Sequence, residues 1–75
     1  MPFANIRTVK GLLSEKQREE LREKIFDVLL EVEGRGNPNF AKYIMVLVEE
    51  HEPSAWNVSG DNLTTDAVAS LQADL

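Results

Sequence analysis

The start of the chain alternates between two sets of side chains. Over residues 2–8 the odd positions, beginning with Phe3, share one side, and the even positions, among them Ile6, share the other. Successive side chains of a strand point to opposite faces, so the pattern predicts a first β-strand that ends at Lys10-Gly11. Pro2 suits the first position of a strand, where its missing N–H interrupts no ladder of hydrogen bonds.

The next segment has the spacing of an amphipathic helix over residues 14–33. Ser14 is a favoured N-cap residue, and Gln17, three positions later, completes the pattern of a capping box. Gly34 follows the last turn, and we expect it in the left-handed conformation that commonly ends helices. The apolar residues of the segment form one stripe, which consists of Leu21, Ile25, Val28, Leu29 and Val32.

A second strand is predicted over residues 43–50, "YIMVLVEE". Its unbroken apolar run from Ile44 to Val48 is typical of a strand that is buried on both faces of a parallel sheet. A strand, a helix and a strand form a β-α-β unit, whose right-handed crossover places the helix on one face of the sheet. The other face stays uncovered in a single chain, and a second subunit is the expected cover.

The rest of the sequence is rich in turn-forming residues. The loop "GRGNPN" over residues 34–39 matches the spacing of neither the P-loop nor the dinucleotide fingerprint. After Pro53, Trp56 and Val58 alternate and predict a short strand or hairpin. Residues 1–64 are therefore expected to form one domain, followed by a tail over residues 65–75 that is either a short helix or disordered.

The small size of the chain points to an oligomer. A domain of 75 residues buries a modest share of its surface and is marginally stable alone. The sequence contains no cysteine, so disulfides cannot supplement its core. Because 43% of the residues are hydrophobic, we expect the core to be completed by neighbouring copies of the chain.

Charge and hydropathy exclude other classes of partner. The net charge is −5, and the basic residues are scattered rather than gathered into a patch for nucleic acid. No apolar run reaches the length of a membrane span and no secretory leader is recognised, so a cytoplasmic protein is expected. The sequons at Asn57 and Asn62 are then chance matches, because glycosylation requires the secretory route.

Most common catalytic arrangements have no support in the sequence. His51 is the one histidine and there is no cysteine, so no transition-metal site is expected. No nucleophile elbow accompanies a Ser-His-Asp set. The remaining candidate is Pro2, whose ring nitrogen becomes a secondary amine once Met1 is removed. Burial disfavours the charged form of an amine and lowers its pKa, and a general base works best when its pKa lies near the working pH.

Several segments, in their order and spacing, resemble the 4-oxalocrotonate tautomerase family. They are "MP" leading into a short strand, Gly11, "LLSEKQREEL" at the start of the helix, an apolar second strand ending in "VLVEE", and "PSAWNVSG". The resemblance covers residues 2–64 and rests on the combination, since no single segment is specific by itself.

The resemblance implies a fold, an assembly and a reaction. The family fold is an α/β (α+β) arrangement, a β-α-β unit with a C-terminal β-hairpin, and two units form a four-stranded sheet. Short members are hexamers, usually trimers of dimers. The family interconverts enol and keto forms of 2-oxo acids without a cofactor. The amino-terminal proline is the general base, which implies that Pro2 is the catalytic residue and that the ligand is a small carboxylate.

The chain departs from the family at two positions. The founding tautomerases carry two arginines that bind the substrate's carboxylate and carbonyl groups, and these positions are Leu12 and Met45 here, which offer neither a donor nor a charge. The aromatic pocket position falls at Trp56, and Phe3 is expected to shape the pocket with it.

Another residue must then bind the substrate oxyanion. Arg35, in the loop, is the preferred cation, with Lys42 and Arg7 as the other basic candidates. Tyr43 and Asn57 are neutral donors. A large pocket with one cation favours a monocarboxylate that carries an apolar group, such as an aryl enolpyruvate, over a dicarboxylate such as 2-hydroxymuconate.

Two functions of different classes remain open. The first is a tautomerase that acts on a 2-hydroxydienoate or an aryl enolpyruvate. The second is an oligomeric protein of the same fold that has a structural or binding role and little or no activity, and the missing arginines at Leu12 and Met45 favour it. Removal of Met1 separates the two, because an acylated proline nitrogen is an amide and not a base.

Overall fold

The computed structural model describes all 75 residues of the chain. Its regular elements, in chain order, are β1 (Phe3–Val9), α1 (Glu15–Val32), β2 (Met45–His51), β3 (Asn57–Val58), β4 (Asp61–Asn62) and α2 (Thr65–Ala73). Two stretches of 3₁₀ helix, Pro38–Tyr43 and Pro53–Ala55, flank β2. Neither α-helix combines the length and the apolar character that crossing a membrane requires.

The two long strands form the parallel pair that the sequence predicts. In their register Phe3 lies opposite Met45, and Val9 lies opposite His51. Parallel pairing places the beginnings of both strands at one edge of the sheet, which we call the amino edge, and their ends at the opposite carboxyl edge. With α1 as the crossover and β3–β4 as an antiparallel hairpin, the predicted β-α-β fold is confirmed.

Helix α1 begins with the predicted capping box. The Ser14 Oγ accepts a hydrogen bond from the Gln17 N–H at 3.1 Å, and the Gln17 side chain accepts one from the Ser14 N–H at 2.8 Å. On the solvent side Glu20 and Lys24 form an ion pair at 2.7 Å. Their mutual hydrogen bond lowers the pKa of Glu20 and raises the pKa of Lys24.

The end of α1 differs from the prediction. Gly34 is not left-handed; Arg35 (φ 53°) and Gly36 (φ 73°) are, and the Gly36 N–H donates to the Leu30 carbonyl at 3.0 Å. Gly34 is buried instead, and the side chain of Phe40 packs directly against it. The prediction for Gly34 was wrong because this glycine is required for close packing and not for its backbone conformation.

Helix α1 covers one face of the sheet. Arg18 on the helix reaches the Glu50 carboxylate of β2 at 3.0 Å, and Val46 and Val48 on the same face are half-buried. The opposite face, which we call the open face, is uncovered: Phe3 is 56%, Met45 is 49% and Leu47 is 42% exposed. Within one chain β2 is therefore covered on one face only, as expected of the single β-α-β unit.

The second strand also starts later than predicted. Tyr43, expected at the start of the strand, ends the 3₁₀ segment Pro38–Tyr43, and β2 begins at Met45. Asn37 caps this segment, since its side chain accepts a hydrogen bond from the Asn39 N–H at 3.0 Å. Part of the predicted 34–39 loop thus belongs to a helical turn that ends at Tyr43, just before the sheet.

The C-terminal third contains the predicted hairpin and an ordered helix. Ser59 (φ 55°) and Gly60 (φ 92°) form the hairpin turn, in which both central residues need a positive φ. Helix α2 then docks on the loop after β1: Val68 is only 4% exposed, and the Gln72 amide donates to two carbonyls of that loop, those of Gly11 and Leu12.

Candidate functional site

Pro2 lies at the amino edge and is buried. Its carbonyl accepts a hydrogen bond from the Met45 N–H at 3.1 Å, which places Pro2 beside Ile44 at the beginning of the sheet. Its ring nitrogen is not needed for strand pairing, because a proline nitrogen has no hydrogen to donate. Met1, which precedes it, is 84% exposed.

A cavity of about 200 Å³ opens at the same edge of the sheet. It lies between the end of α1 and the 3₁₀ segment, and its wall includes Tyr43, the residue before Ile44. The Phe40 ring meets the Tyr43 ring edge-on at 5.7 Å, and the Lys42 ammonium sits 5.2 Å from the centre of the Tyr43 ring. Two aromatic rings and a cation therefore share this cavity.

Arg35, the preferred cation of the sequence analysis, belongs to this end of the molecule. It follows α1 in the left-handed conformation and is exposed. No carboxylate lies within ion-pair distance of its guanidinium. It does not line the cavity beside Tyr43, so its side chain is available to a ligand at the amino edge but is not fixed by a neighbour.

Trp56 lies at the other end of the sheet from Pro2. Its indole N–H donates to the carbonyl of His51, the last residue of β2, at 3.3 Å. A seven-residue strand separates the two edges, which at about 3.3 Å per residue amounts to about 20 Å. Phe3 lies between them on the open face, at its amino-edge end. Within one chain Pro2, Phe3, Tyr43 and the Arg35 loop therefore lie at the amino edge, and Trp56 lies at the carboxyl edge.

The carboxyl edge carries most of the ion pairs of the sheet. Arg7, a lesser candidate for the substrate cation, is paired with Glu49 at 3.2 Å, and the His51 Nε2 lies 3.8 Å from the same carboxylate. Lys10 pairs with Glu52 at 3.0 Å. The acidic and histidine side chains form no group of three or more with the geometry of a metal site.

The two positions that lack the family arginines also lie far apart. Leu12 is in the loop after the carboxyl end of β1, where Gln72 holds its carbonyl at 2.8 Å. Met45 begins β2 on the open face, opposite Phe3. Neither side chain can donate a hydrogen bond, so the polar partner of any anionic ligand must come from elsewhere.

The sequence analysis missed the cavity itself. Its charged and aromatic wall combines Glu33 at the end of α1 with Phe40 and Lys42 of the 3₁₀ segment. From the sequence, Lys42 is only one of the alternative basic candidates for the substrate oxyanion. The available signal was Pro38 one residue after Asn37, which favours a capped helical turn and would have placed Phe40, Lys42 and Tyr43 around one short helix.

Comparison with known proteins supports the fold. No protein-family model matches the chain, and no curated protein matches it. Among solved structures it is similar to DmpI from Helicobacter pylori, a member of the 4-oxalocrotonate tautomerase family, with a TM-score of 0.64 and 23% identity over 96% of this chain and 97% of that chain. The chain therefore has the tautomerase fold.

Proposed function

We propose that the protein is a cytoplasmic tautomerase that interconverts the enol and keto forms of a 2-oxo acid, with Pro2 as the general base. The observation that carries the proposal is the burial of Pro2 at the head of β1 in a tautomerase fold. In this position the backbone carbonyl of Pro2 takes part in strand pairing while its nitrogen does not.

The reaction moves one proton and shifts the double bonds, and the substrate and product have the same composition. After removal of Met1, the Pro2 nitrogen takes the hydroxyl proton of a 2-hydroxydienoate or an aryl enolpyruvate. It then returns a proton to a carbon atom, and the product is the isomeric 2-oxo acid. No cofactor is consumed. Pro2 is buried in the chain that carries Met1, and burial of an amine penalises its protonated form.

Arg35 is the proposed partner of the negative charge that develops on the substrate oxygen. A positioned cation is most useful where charge appears in the transition state, and Arg35 has no competing carboxylate. Tyr43, at the same edge, supplies a neutral donor. We assign Phe3 to the pocket wall next to Pro2, on the open face.

We further propose that the active form is a homo-oligomer, a hexamer built as a trimer of dimers. The chain exposes 5725 Å², whereas a globular monomer of 8.4 kDa exposes about 4,600 Å². Its radius of gyration is 15.4 Å, against about 11 Å for a compact domain of 75 residues. The chain thus exposes more surface than a compact monomer of the same mass. Because part of this surface is the apolar open face, the excess favours burial against other copies.

The distance between Pro2 and Trp56 supports a site shared between copies. If two chains pair antiparallel and extend the sheet to four strands, the carboxyl edge of one copy lies beside the amino edge of the other. Trp56 of one copy would then approach Pro2 of the next, although the two residues lie at opposite edges of a single chain. The pocket would thus be completed only by assembly.

The proposal is tested by mass and by kinetics together. The intact mass is expected to show a chain that lacks Met1. Tautomerisation of an aryl enolpyruvate is then followed with the wild type and with Pro2→Ala, and Ser70→Ala on the exposed surface of α2 serves as the control. We expect Pro2→Ala to lower kcat by at least about 100-fold, the usual contribution of a positioned general base. Equal activity of Pro2→Ala and wild type would remove Pro2 from the mechanism.

The second candidate is an oligomeric binding or structural protein without this activity. The observation in its favour is that Leu12 and Met45 supply neither charge nor donor. The same mass measurement separates the candidates: a chain that retains Met1 has an amide at Pro2 and cannot use it as a base, and we would then adopt the second function.

A further inference from the structure

The cavity at the amino edge contains two opposite charges that do not neutralise each other. Lys42 and Glu33 both line it, yet neither makes an ion pair with any residue of the chain. The Lys42 ammonium rests 5.2 Å from the centre of the Tyr43 ring. An unpaired cation above an aromatic wall is a suitable partner for a carboxylate that carries an apolar group.

The shape of the cavity is maintained by close packing. Phe40 closes onto Gly34, where a Cβ atom would lie 2.8 Å from its ring. The ring also meets Tyr43 edge-on at 5.7 Å. The volume of about 200 Å³ is below the range of about 300–1,000 Å³ that is usual for drug-sized ligands, and it therefore suits a small metabolite.

Glu33 places a negative charge in the wall of the cavity. A ligand with one carboxylate can contact Lys42 and place an uncharged group near Glu33. A ligand with a second carboxylate would bring that group close to the Glu33 carboxylate, where two like charges repel. Two neutral amides, those of Asn37 and Asn39, complete the polar part of the wall and add no charge.

We propose that this cavity selects the substrate: Lys42 binds its single carboxylate, the Phe40 and Tyr43 rings contact its apolar group, and Glu33 disfavours dicarboxylates. The inference rests on the proposed function: Pro2 pairs with the start of β2 at the amino edge, and Tyr43, two residues before Met45, lines the cavity at that edge. It names the substrate class, a monocarboxylic 2-oxo acid with an aryl or similar apolar substituent, and it gives Arg35 the separate task of polarising the carbonyl.

Unreactive ligands test the cavity without depending on catalysis. Dissociation constants are measured by NMR titration for 3-phenylpropionate, for its neutral counterpart 3-phenylpropan-1-ol, and for the dicarboxylate adipate. Lys42→Gln is expected to weaken 3-phenylpropionate about tenfold and to leave the alcohol unchanged. Glu33→Gln is expected to tighten adipate about tenfold and to leave the alcohol unchanged.

Matched controls remove the same charges elsewhere. Lys16→Gln and Glu31→Gln alter exposed, unpaired side chains of α1. Both variants are expected to bind 3-phenylpropionate and adipate with the dissociation constants of the wild type. An unchanged affinity of Lys42→Gln for 3-phenylpropionate would overturn the proposal, as would an unchanged affinity of Glu33→Gln for adipate. The proposal would also be overturned if 3-phenylpropionate changed amide chemical shifts elsewhere in the protein but not that of Gly34.

The two proposals fail separately in this design. Pro2→Ala is expected to bind 3-phenylpropionate as tightly as the wild type, because it alters the base and not the cavity. If Pro2→Ala remains fully active while Lys42→Gln loses binding, the cavity proposal stands as a binding site and the mechanism falls. If Pro2→Ala is inactive while Lys42→Gln binds normally, the mechanism stands and the cavity proposal falls.

Discussion

The ring of Phe40 packs so closely on Gly34 that the glycine has no room for a side chain. A Cβ on Gly34 would lie 2.8 Å from the Phe40 ring and 2.7 Å from the carbonyl oxygen of Leu30. The second neighbour belongs to the backbone of α1 and cannot move aside independently. The contact joins the end of α1 to the 3₁₀ segment that forms one wall of the cavity.

Gly34→Ala is therefore expected to destabilise the protein. Gly34 has no positive φ, so the cost comes from overpacking alone, about 1–3 kcal/mol. Chemical denaturation at a fixed protomer concentration measures the change in the free energy of unfolding. Glu31→Ala, an exposed position on the same helix, is the control and should stay within about 0.5 kcal/mol of the wild type. Equal stability of both variants would show that the contact relaxes at no cost.

The same contact marks a limit of prediction from the sequence. Local signals were sufficient for the capping box of Ser14 and Gln17, because both partners lie within one turn. They were not sufficient for Gly34, because the reason for a glycine there is Phe40, which reaches it only after the chain has turned back. The first left-handed residue after α1 is Arg35, and an arginine side chain gives no reason to predict a positive φ.

The candidate site divides in the same way. The pairing of the two long strands follows from the alternation and the apolar run, which specify register and burial. The choice of Pro2 as the candidate base comes from the family resemblance and not from these patterns. The cavity depends on where the 3₁₀ segment folds against α1. This is a tertiary contact, and no periodic pattern of apolar residues predicts it. The sequence likewise does not predict that Trp56 and Pro2 lie at opposite edges of the sheet, which the structure shows.

Loss of the capping box should weaken α1 measurably. Ser14 satisfies the Gln17 N–H at the start of the helix, and an Ala cannot replace that acceptor. Ser14→Ala is expected to lower the free energy of unfolding by about 1 kcal/mol. For a domain of this length, this corresponds to a fall in Tm of about 4–8 °C in a thermal scan. Ser70→Ala, on the exposed side of α2, should leave Tm unchanged.

Helix α2 is predicted to be part of the folded domain and not a loose tail. Val68 is the one core residue that it contributes, at 4% exposure, and Val68→Ala removes two buried methyl groups. We expect a loss of about 2 kcal/mol. Leu75→Ala alters a side chain that is 97% exposed and is the matched control. Hydrogen exchange of the Gly11 loop should rise with Val68→Ala, and protection equal to the wild type would argue against docking of α2.

The open face provides the sharpest test of assembly. Leu47 lies in the middle of β2 and is 42% exposed in the single chain, next to the apolar pair Phe3 and Met45. If other copies cover this face, Leu47→Glu buries a carboxylate without a partner, which costs several kcal/mol per ion. Sedimentation velocity should then show species smaller than the wild-type oligomer. Ser70→Glu adds the same charge on an exposed part of α2 and should sediment as the wild type does. An unchanged oligomer for Leu47→Glu would mean that the copies meet through another surface. The Pro2–Trp56 pocket would then have to form without the open face.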